Sequence, residues 1–297
     1  GKNAMELNNL WAPRVGLIWD WTKEGKSKLF ANWGRFYEAI PLRINFRSFG
    51  GESSYRQIFG VTGGGNSCGA TDPLIGGPNG TGCLVDENAT ADQAQLIGAA
   101  GVYVAPGIKP QYLDELVLGV EYELVDDLKV GVTLQNRRLG RVIEDVSTDG
   151  ADTYIIANPG EWSQAEEDKV LAQLAAAGTP EEVERLEKEL ALYRGIRLFD
   201  KPTRDYNALQ FTVTRRFSKA FYMQGSYTYA QHRGNFPGLI SYDNGQVDPN
   251  ISSQYDLIEL LGNRVGALPL DRPHYIKIEG YYTHDMKKAG ELTFRVR

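Results

Sequence analysis

Apolar side chains recur at every second position in eight stretches of this 297-residue chain, and the stretches come in pairs. In the clearest pair, Tyr112, Leu116, Leu118, Val120, Tyr122 and Leu124 share one side of an extended segment. Glu115, Gly119, Glu121 and Glu123 share the other, with Val117 as the exception. After Val125-Asp126-Asp127 the alternation resumes, with Val130, Val132 and Leu134 on one side and Lys129, Gly131, Thr133 and Gln135 on the other. A period of two is the geometry of a β-strand, because successive side chains point to opposite faces. Two such runs about a tight polar turn read as a hairpin. The unit recurs at Val15–Trp21 with Leu29–Trp33, at Leu209–Phe217 with Phe221–Tyr229, and at Ile276–Tyr282 with Leu292–Val296.

The connections narrow the choice further. Within each hairpin the turn is short. Between hairpins the chain runs long, roughly 40–108, 147–203 and 235–270. Connections beyond about 12–15 residues are uncommon in compact soluble domains. A β-sandwich shows turn signals every ~8–12 residues without such asymmetry. Strict alternation of short and long is the pattern of an outer-membrane barrel, with short periplasmic turns and long extracellular loops. Strands of about 11 residues at ~3.3 Å, tilted ~45°, rise on the order of 25 Å, the height of a barrel's apolar band. Trp19, Trp21, Trp33, Tyr37, Tyr112, Tyr122, Tyr222, Tyr227, Tyr229, Tyr275, Tyr281 and Tyr282 gather toward strand ends, as aromatic girdles do at a membrane surface. Cross-strand aromatic packing is the ordinary alternative for any one of them.

Composition agrees. No run approaches the ~18 apolar residues of a membrane-crossing helix, and mean hydropathy is -0.37. A membrane barrel has that value too, since its lipid-facing residues alternate with polar ones. A net charge of -6 without a basic block gives no nucleic-acid footprint. The expected fold is therefore all-β: a transmembrane antiparallel up-and-down barrel segment of about eight strands. Residues 1–297 form part of one barrel domain, and both ends read as cuts through a larger protein. The first residues, GKNAMELNNLW, have neither the apolar core nor the cleavage site of a signal peptide.

One loop carries helix. Ser163-Gln164-Ala165-Glu166 and Thr179-Pro180-Glu181-Glu182 have capping-box spacing, the second with Pro at the first helical position. Val183, Leu186, Leu190 and Tyr193 then recur at helical spacing up to Gly195, with Val170, Leu171 and Leu174 lining the facing helix. An αα-hairpin over 163–194, inserted in an extracellular loop, is expected. A second loop holds Cys68 and Cys83 in a Gly-rich stretch. A disulfide pinning that loop is the leading reading, and two unrelated free thiols the other.

No catalytic constellation emerges, and the chain is not expected to be an enzyme or to carry a cofactor. His232, His274 and His284 are isolated, and with two cysteines there are few ligands for a metal. The acidic run Glu181, Glu182, Glu184, Glu187 and Glu189 reads as a solvated helix face. The informative polar residues lie opposite the apolar stripes: Glu121, Glu123, Lys129, Gln135, Arg137, Thr212, Thr214, Gln224, Lys277 and Glu279. They are candidate lumen-facing side chains, because a barrel interior is polar.

Several short motifs add a resemblance. Asn9-Leu10-Trp11-Ala12-Pro13-Arg14-Val15-Gly16 followed by Lys28-Leu29-Phe30-Ala31-Asn32-Trp33-Gly34-Arg35-Phe36-Tyr37-Glu38 resembles a stretch of TonB-dependent receptor barrels, with the Oar-like group the nearer match. Lys109-Pro110-Gln111-Tyr112-Leu113-Asp114-Glu115, Tyr206-Asn207-Ala208-Leu209-Gln210 and Leu270-Asp271-Arg272-Pro273-His274 resemble strand openings of the same family, in the same order. The resemblance implies a plugged barrel of about 22 strands in the outer membrane of a Gram-negative bacterium. It implies outer-membrane lipid, a plug domain missing from this sequence and, through it, TonB as partners, and an unknown substrate, large or scarce. A small eight-stranded barrel serving as adhesin or structural anchor is the alternative. Gly16, Gly119, Gly131, Ser226 and Thr228 on the apparent inner face argue against it, because so narrow a barrel must fill its interior with side chains. A soluble β-rich hydrolase or carbohydrate binder would need an acidic pair or an aromatic cleft, and neither is found.

Overall fold

The computed structural model describes residues 5–38, 102–148, 150, 153–218, 220–238, 255 and 258–297, together with the backbone at 54–57 and 94–97. Cys68 and Cys83 lie outside the described residues. Two compact units divide the chain, Gly1–Pro41 with Tyr103–Arg297, and Leu42–Val102.

In chain order the strands are β1 (Arg14–Trp19), β2 (Ser27–Tyr37), β3 (Ser54–Gln57), β4 (Ala94–Ile97), β5 (Tyr103–Val104), β6 (Tyr112–Val125), β7 (Leu128–Arg141), β8 (Glu144–Ser147) and β9 (Tyr154–Ala157). Helices α1 (Gln164–Ala176) and α2 (Pro180–Gly195) follow. Then come β10 (Arg204–Ser218), β11 (Phe221–Gly234), β12 (Gly266–Ala267), β13 (His274–Asp285) and β14 (Glu291–Val296). In the smaller unit β3 and β4 pair antiparallel, Ser54 opposite Ile97.

The larger unit is built on one antiparallel sheet in the order β1-β2-β6-β7-β10-β11-β13-β14, with β12 added to β11. This is an up-and-down meander, in which each hairpin partner is also a sheet neighbour. The four hairpins of the sequence are all present. Strands β6, β7, β10 and β11 run 14 to 15 residues, longer than the apolar band requires.

Register explains the alternation. One continuous cross-strand row runs Trp19, Leu29, Val120, Val132, Phe211, Tyr227 and Ile276 over seven strands. Along it Trp19 is 57% exposed and Ile276 65%. A parallel row carries Leu17, Ala31, Leu118, Leu134, Leu209 and Tyr229. Rows of apolar side chains left this exposed are costly in water and stable against hydrocarbon. Toward the loop end the same face turns ionic. Arg35, Asp114, Arg138, Asp205 and Arg233 stand in one row, with Arg35 gripping Asp114 at 2.8 and 2.9 Å. At the opposite end Trp21 stacks on Tyr122 at 6.0 Å. Three of the girdle aromatics belong elsewhere. Tyr222, Tyr275 and Tyr281 sit one residue out of step with the apolar rows, and Tyr222 stacks on Tyr281 at 5.2 Å on the opposite face.

The first tight turn is organised by Asp20. Its carboxylate accepts from the Thr22 hydroxyl at 2.6 Å, the Gly25 amide at 2.7 Å and the Ser27 hydroxyl at 2.5 Å. These hydrogen bonds, the one from Ser27 first, hold its pKa well below the usual carboxylate range.

The loop-end connections are more structured than the spacing foretold. Strands β5, β9 and β8 form a second, three-stranded sheet, β5 parallel to β9. Against it the end of α2 and the turn after it bury Leu192, Tyr193, Ile196 and Phe199. Phe236, Tyr255 and Leu261, from the connection after β11, join the same core. Two loops thus share one apolar interior. Asn158 bonds this body to the strand ends: it accepts from the Lys109 amide at 2.8 Å and donates to the carbonyls of Lys109 and Val142 at 2.9 and 2.7 Å.

The helices occupy the expected place, with different ends. Thr179 caps α2 by accepting from the Glu182 amide at 3.2 Å. Ser163 makes no side-chain cap. Its amide donates to the Tyr193 hydroxyl instead, so the α1 start is fixed by tertiary contact rather than by a capping box. Gly195 does not stop the helix through a left-handed residue; the chain continues into a 3-10 turn at Ile196–Leu198. The glycine is required by close approach, since a Cβ there would lie 2.6 Å from the Thr148 side chain. Val170, Leu186 and Leu190 form the inter-helix core, whereas Leu171 is exposed.

Candidate functional site

The face opposite the apolar rows is polar over most of its width, and it carries all ten candidates named from the sequence. One row runs Lys28, Glu121, Gly131, Thr212, Ser226 and Lys277. Another runs Glu123, Lys129, Thr214, Gln224 and Glu279. Gln135 stands beside Val117 and Ala208, and Arg137 between Glu115 and Tyr206.

These side chains neutralise one another across strands. Lys129 bridges to Glu121 at 2.8 Å, with Lys28 at 3.8 Å on the other oxygen. Glu115 accepts from Arg137 and, at 3.1 Å, from Gln135. Arg295 reaches Glu279 at 2.9 Å. Gln224 accepts from the Tyr222 hydroxyl at 3.0 Å, and Lys277 lies 5.0 Å from the Tyr275 ring. Pairs this exposed contribute about 0–1 kcal/mol each to stability. They make a surface that stays wetted with both signs of charge interspersed.

Glycines let the strands exchange side chains over this face. Phe30 lies across the position where Gly119 has no side chain, and the Lys28 ammonium sits 4.6 Å above its ring. The Thr212 hydroxyl lies over Gly131 in the same manner. His232 belongs to this face and His274 to the other, so the two histidines flanking one loop do not converge. Among the described residues, no group of three His, Cys, Asp or Glu side chains has the spacing to hold a metal ion.

The polar face also holds a cavity of about 420 Å³. Thr133, Gln135, Ala208, Gln210, Thr228 and Ala230 line it from the sheet, with Tyr206, Tyr275, Leu270 and Arg272 around them. The two alanines are nearly buried and leave room for the hollow. Gln210 and Thr228 were within reach of sequence reasoning, since each is an odd step from Leu209 or Tyr229. Arg272 was not, because it precedes β13 and follows no strand parity.

A meandering sheet with one apolar, uncovered face and one polar, ion-paired face is the wall of an outer-membrane β-barrel. The chain belongs to the outer membrane beta barrel domain family, whose profile matches residues 3–292, and it resides in the outer membrane of a Gram-negative bacterium. Among curated proteins it is similar to the TonB-dependent transporter Oar of Myxococcus xanthus, 33% identical over 300 residues. That match covers 97% of this chain and 25% of the Oar protein, so the chain spans about a quarter of the relative's length. Among solved structures it is similar to the outer membrane transporter YddB from Escherichia coli, with 13% identity and a TM-score of 0.43. That likeness covers 92% of this chain and 26% of the other.

Proposed function

We propose that this chain supplies part of the wall and outer loops of a TonB-dependent transporter barrel that moves a large or scarce substrate across the outer membrane. The observation that carries the reading is the seven-strand apolar row backed by a polar, charge-balanced row. Such a wall separates hydrocarbon from an aqueous or plugged lumen. The ten polar candidates then face that lumen, and the chain's work is passage rather than chemistry. A plug domain, pulled by TonB, opens the passage, and the similarity to Oar supports this assignment. The helix-bearing body at the loop end stands outside the cell in this reading.

The rival reading, a small barrel used as adhesin or anchor, fits less well. An eight-stranded barrel fills its interior with side chains. Here Gly119, Gly131, Ser226 and Thr228, all small, stand on the polar face, where so narrow a barrel would need bulkier side chains.

Single cysteines test the assignment. In intact cells, a water-soluble maleimide should label cysteine at Thr212 or Gln224 and spare cysteine at Val132 or Leu134. Equal labelling of the two sets would reject it.

A further inference from the structure

The Leu270-Asp271-Arg272-Pro273-His274 motif is almost fully explained by the fold. The Leu268 amide donates to the His232 carbonyl at 2.9 Å, and the Ala230 amide donates to the Pro273 carbonyl at 3.0 Å. Asp271 accepts from the His232 amide at 2.8 Å, and its own amide donates to the Leu268 carbonyl at the same distance. His274 starts β13 and meets the Tyr227 hydroxyl at 2.9 Å. These contacts pin the segment to β11. Arg272 is the exception. It lines the cavity rim, and among the described residues no hydrogen bond or ion pair holds its guanidinium.

The surroundings of that guanidinium are selective. Among the described residues no carboxylate lines the cavity. The nearest engaged acid on its own segment, Asp271, is committed to the β11 backbone. The other polar groups are the amides of Gln135 and Gln210 and the hydroxyls of Thr133, Thr228, Tyr206 and Tyr275. Each of these both donates and accepts hydrogen bonds. The volume falls within the range of about 300–1,000 Å³ typical of small-ligand sites.

We propose that this cavity binds a solute carrying one carboxylate on a polar, uncharged body, with Arg272 receiving the carboxylate. The planar fork of arginine matches a carboxylate through two parallel hydrogen bonds. A single cation fits a single negative charge, whereas a phosphate dianion would call for more. The amides and hydroxyls suit a ligand with hydroxyl or amide groups of its own. The backbone of the segment is already stapled in position, so the ordering needed on binding falls on the Arg272 side chain. The site deepens the transport reading and rests on it, since the solute must reach the polar face from water.

The test uses the full-length protein in detergent, with N-acetylglycylserine as probe and its carboxamide as control. Modification of arginine side chains by phenylglyoxal is followed by mass spectrometry. At a concentration of about ten times its Kd the acid should slow modification of Arg272 by about tenfold, because protection follows occupancy as one plus the ratio of free ligand to Kd, and leave other arginines unchanged. The carboxamide should give no protection. Arg272→Gln should abolish binding of the acid measured by calorimetry, and Gln210→Leu should weaken it in a protein whose Arg272 is intact. Equal protection by acid and carboxamide overturns the proposal. So does slow modification without any probe, which would mean that a carboxylate of the protein's own chain occupies the site. An unprotected Arg272 beside a maleimide-labelled Thr212 cysteine rejects the site alone. Equal labelling of the Thr212 and Val132 cysteines rejects the wall assignment itself.

Discussion

Replacing Val132 by arginine sets a charge in the middle of the apolar face. Val132 lies between Val120 and Phe211 in the cross-strand row, and 36% of its surface is uncovered. On its own strand the outer face runs Leu128, Val130, Val132, Leu134, then Asn136 and Arg138. Four residues separate Val132 from Leu128 and four from Asn136. At ~3.4 Å per residue and a tilt of ~45°, each interval is a depth of roughly 10 Å, which puts Val132 close to the bilayer midplane. An arginine at that depth costs about 2–4 kcal/mol, or about 1.5 to 3 powers of ten in the folding equilibrium. Thr212 supplies the matched control. It pairs with Gly131, the immediate neighbour of Val132, on the opposite face. Glu121 flanks the same glycine, so an arginine at 212 finds water and a carboxylate and should cost less than about 1 kcal/mol. The assay is urea-dependent folding of the full-length protein into lipid vesicles, read by heat-modifiable gel mobility. Equal destabilisation by Val132→Arg and Thr212→Arg would refute the assignment of faces.

Further outcomes follow from the turn and the loop body. Asn158→Ala strands the Lys109 amide and two carbonyls in a nearly buried site; it should cost about 2–4 kcal/mol and speed proteolysis within 142–200 while leaving the sheet protected. Gly195→Ala forces a Cβ against Thr148; a cost of about 1–3 kcal/mol should appear as a lower melting temperature of the helical signal. Asp20→Asn removes an acceptor whose folded-state pKa is depressed by its hydrogen bonds. The stabilisation from that carboxylate is present above its unfolded pKa of about 3.9 and is lost as pH falls through the lower folded value. The urea midpoints of wild type and variant should therefore differ at neutral pH and converge under strong acid, and a difference independent of pH would exclude the ionised carboxylate as its cause.

Much of the wall was legible before any coordinates, for a simple physical reason. A strand with hydrocarbon on one side and water on the other must change character at every residue. Leu118, Val120 and Tyr122 against Gly119, Glu121 and Glu123 state that requirement directly. The same parity brings the ten polar candidates onto one face. Grouping aromatics by distance from a strand end was less discriminating, because it ignores parity. Tyr222, Tyr275 and Tyr281 are one step off the apolar rows and lie on the polar face.

What the sequence determined by itself is local: the strands, their hairpins, the two helices and the division of each strand into two chemically distinct faces, all set by residues a few positions apart. What the tertiary structure decided is non-local. The four-residue strands β8 and β9 are too short to show a period, and their core is completed by Phe236 and Tyr255 from another loop. Ser163 surrenders its capping role to a contact with Tyr193, thirty residues away. Arg272 reaches the cavity because backbone hydrogen bonds between separate segments hold it there. Alternation carries information only along a strand, and contacts between distant loops leave no period to read.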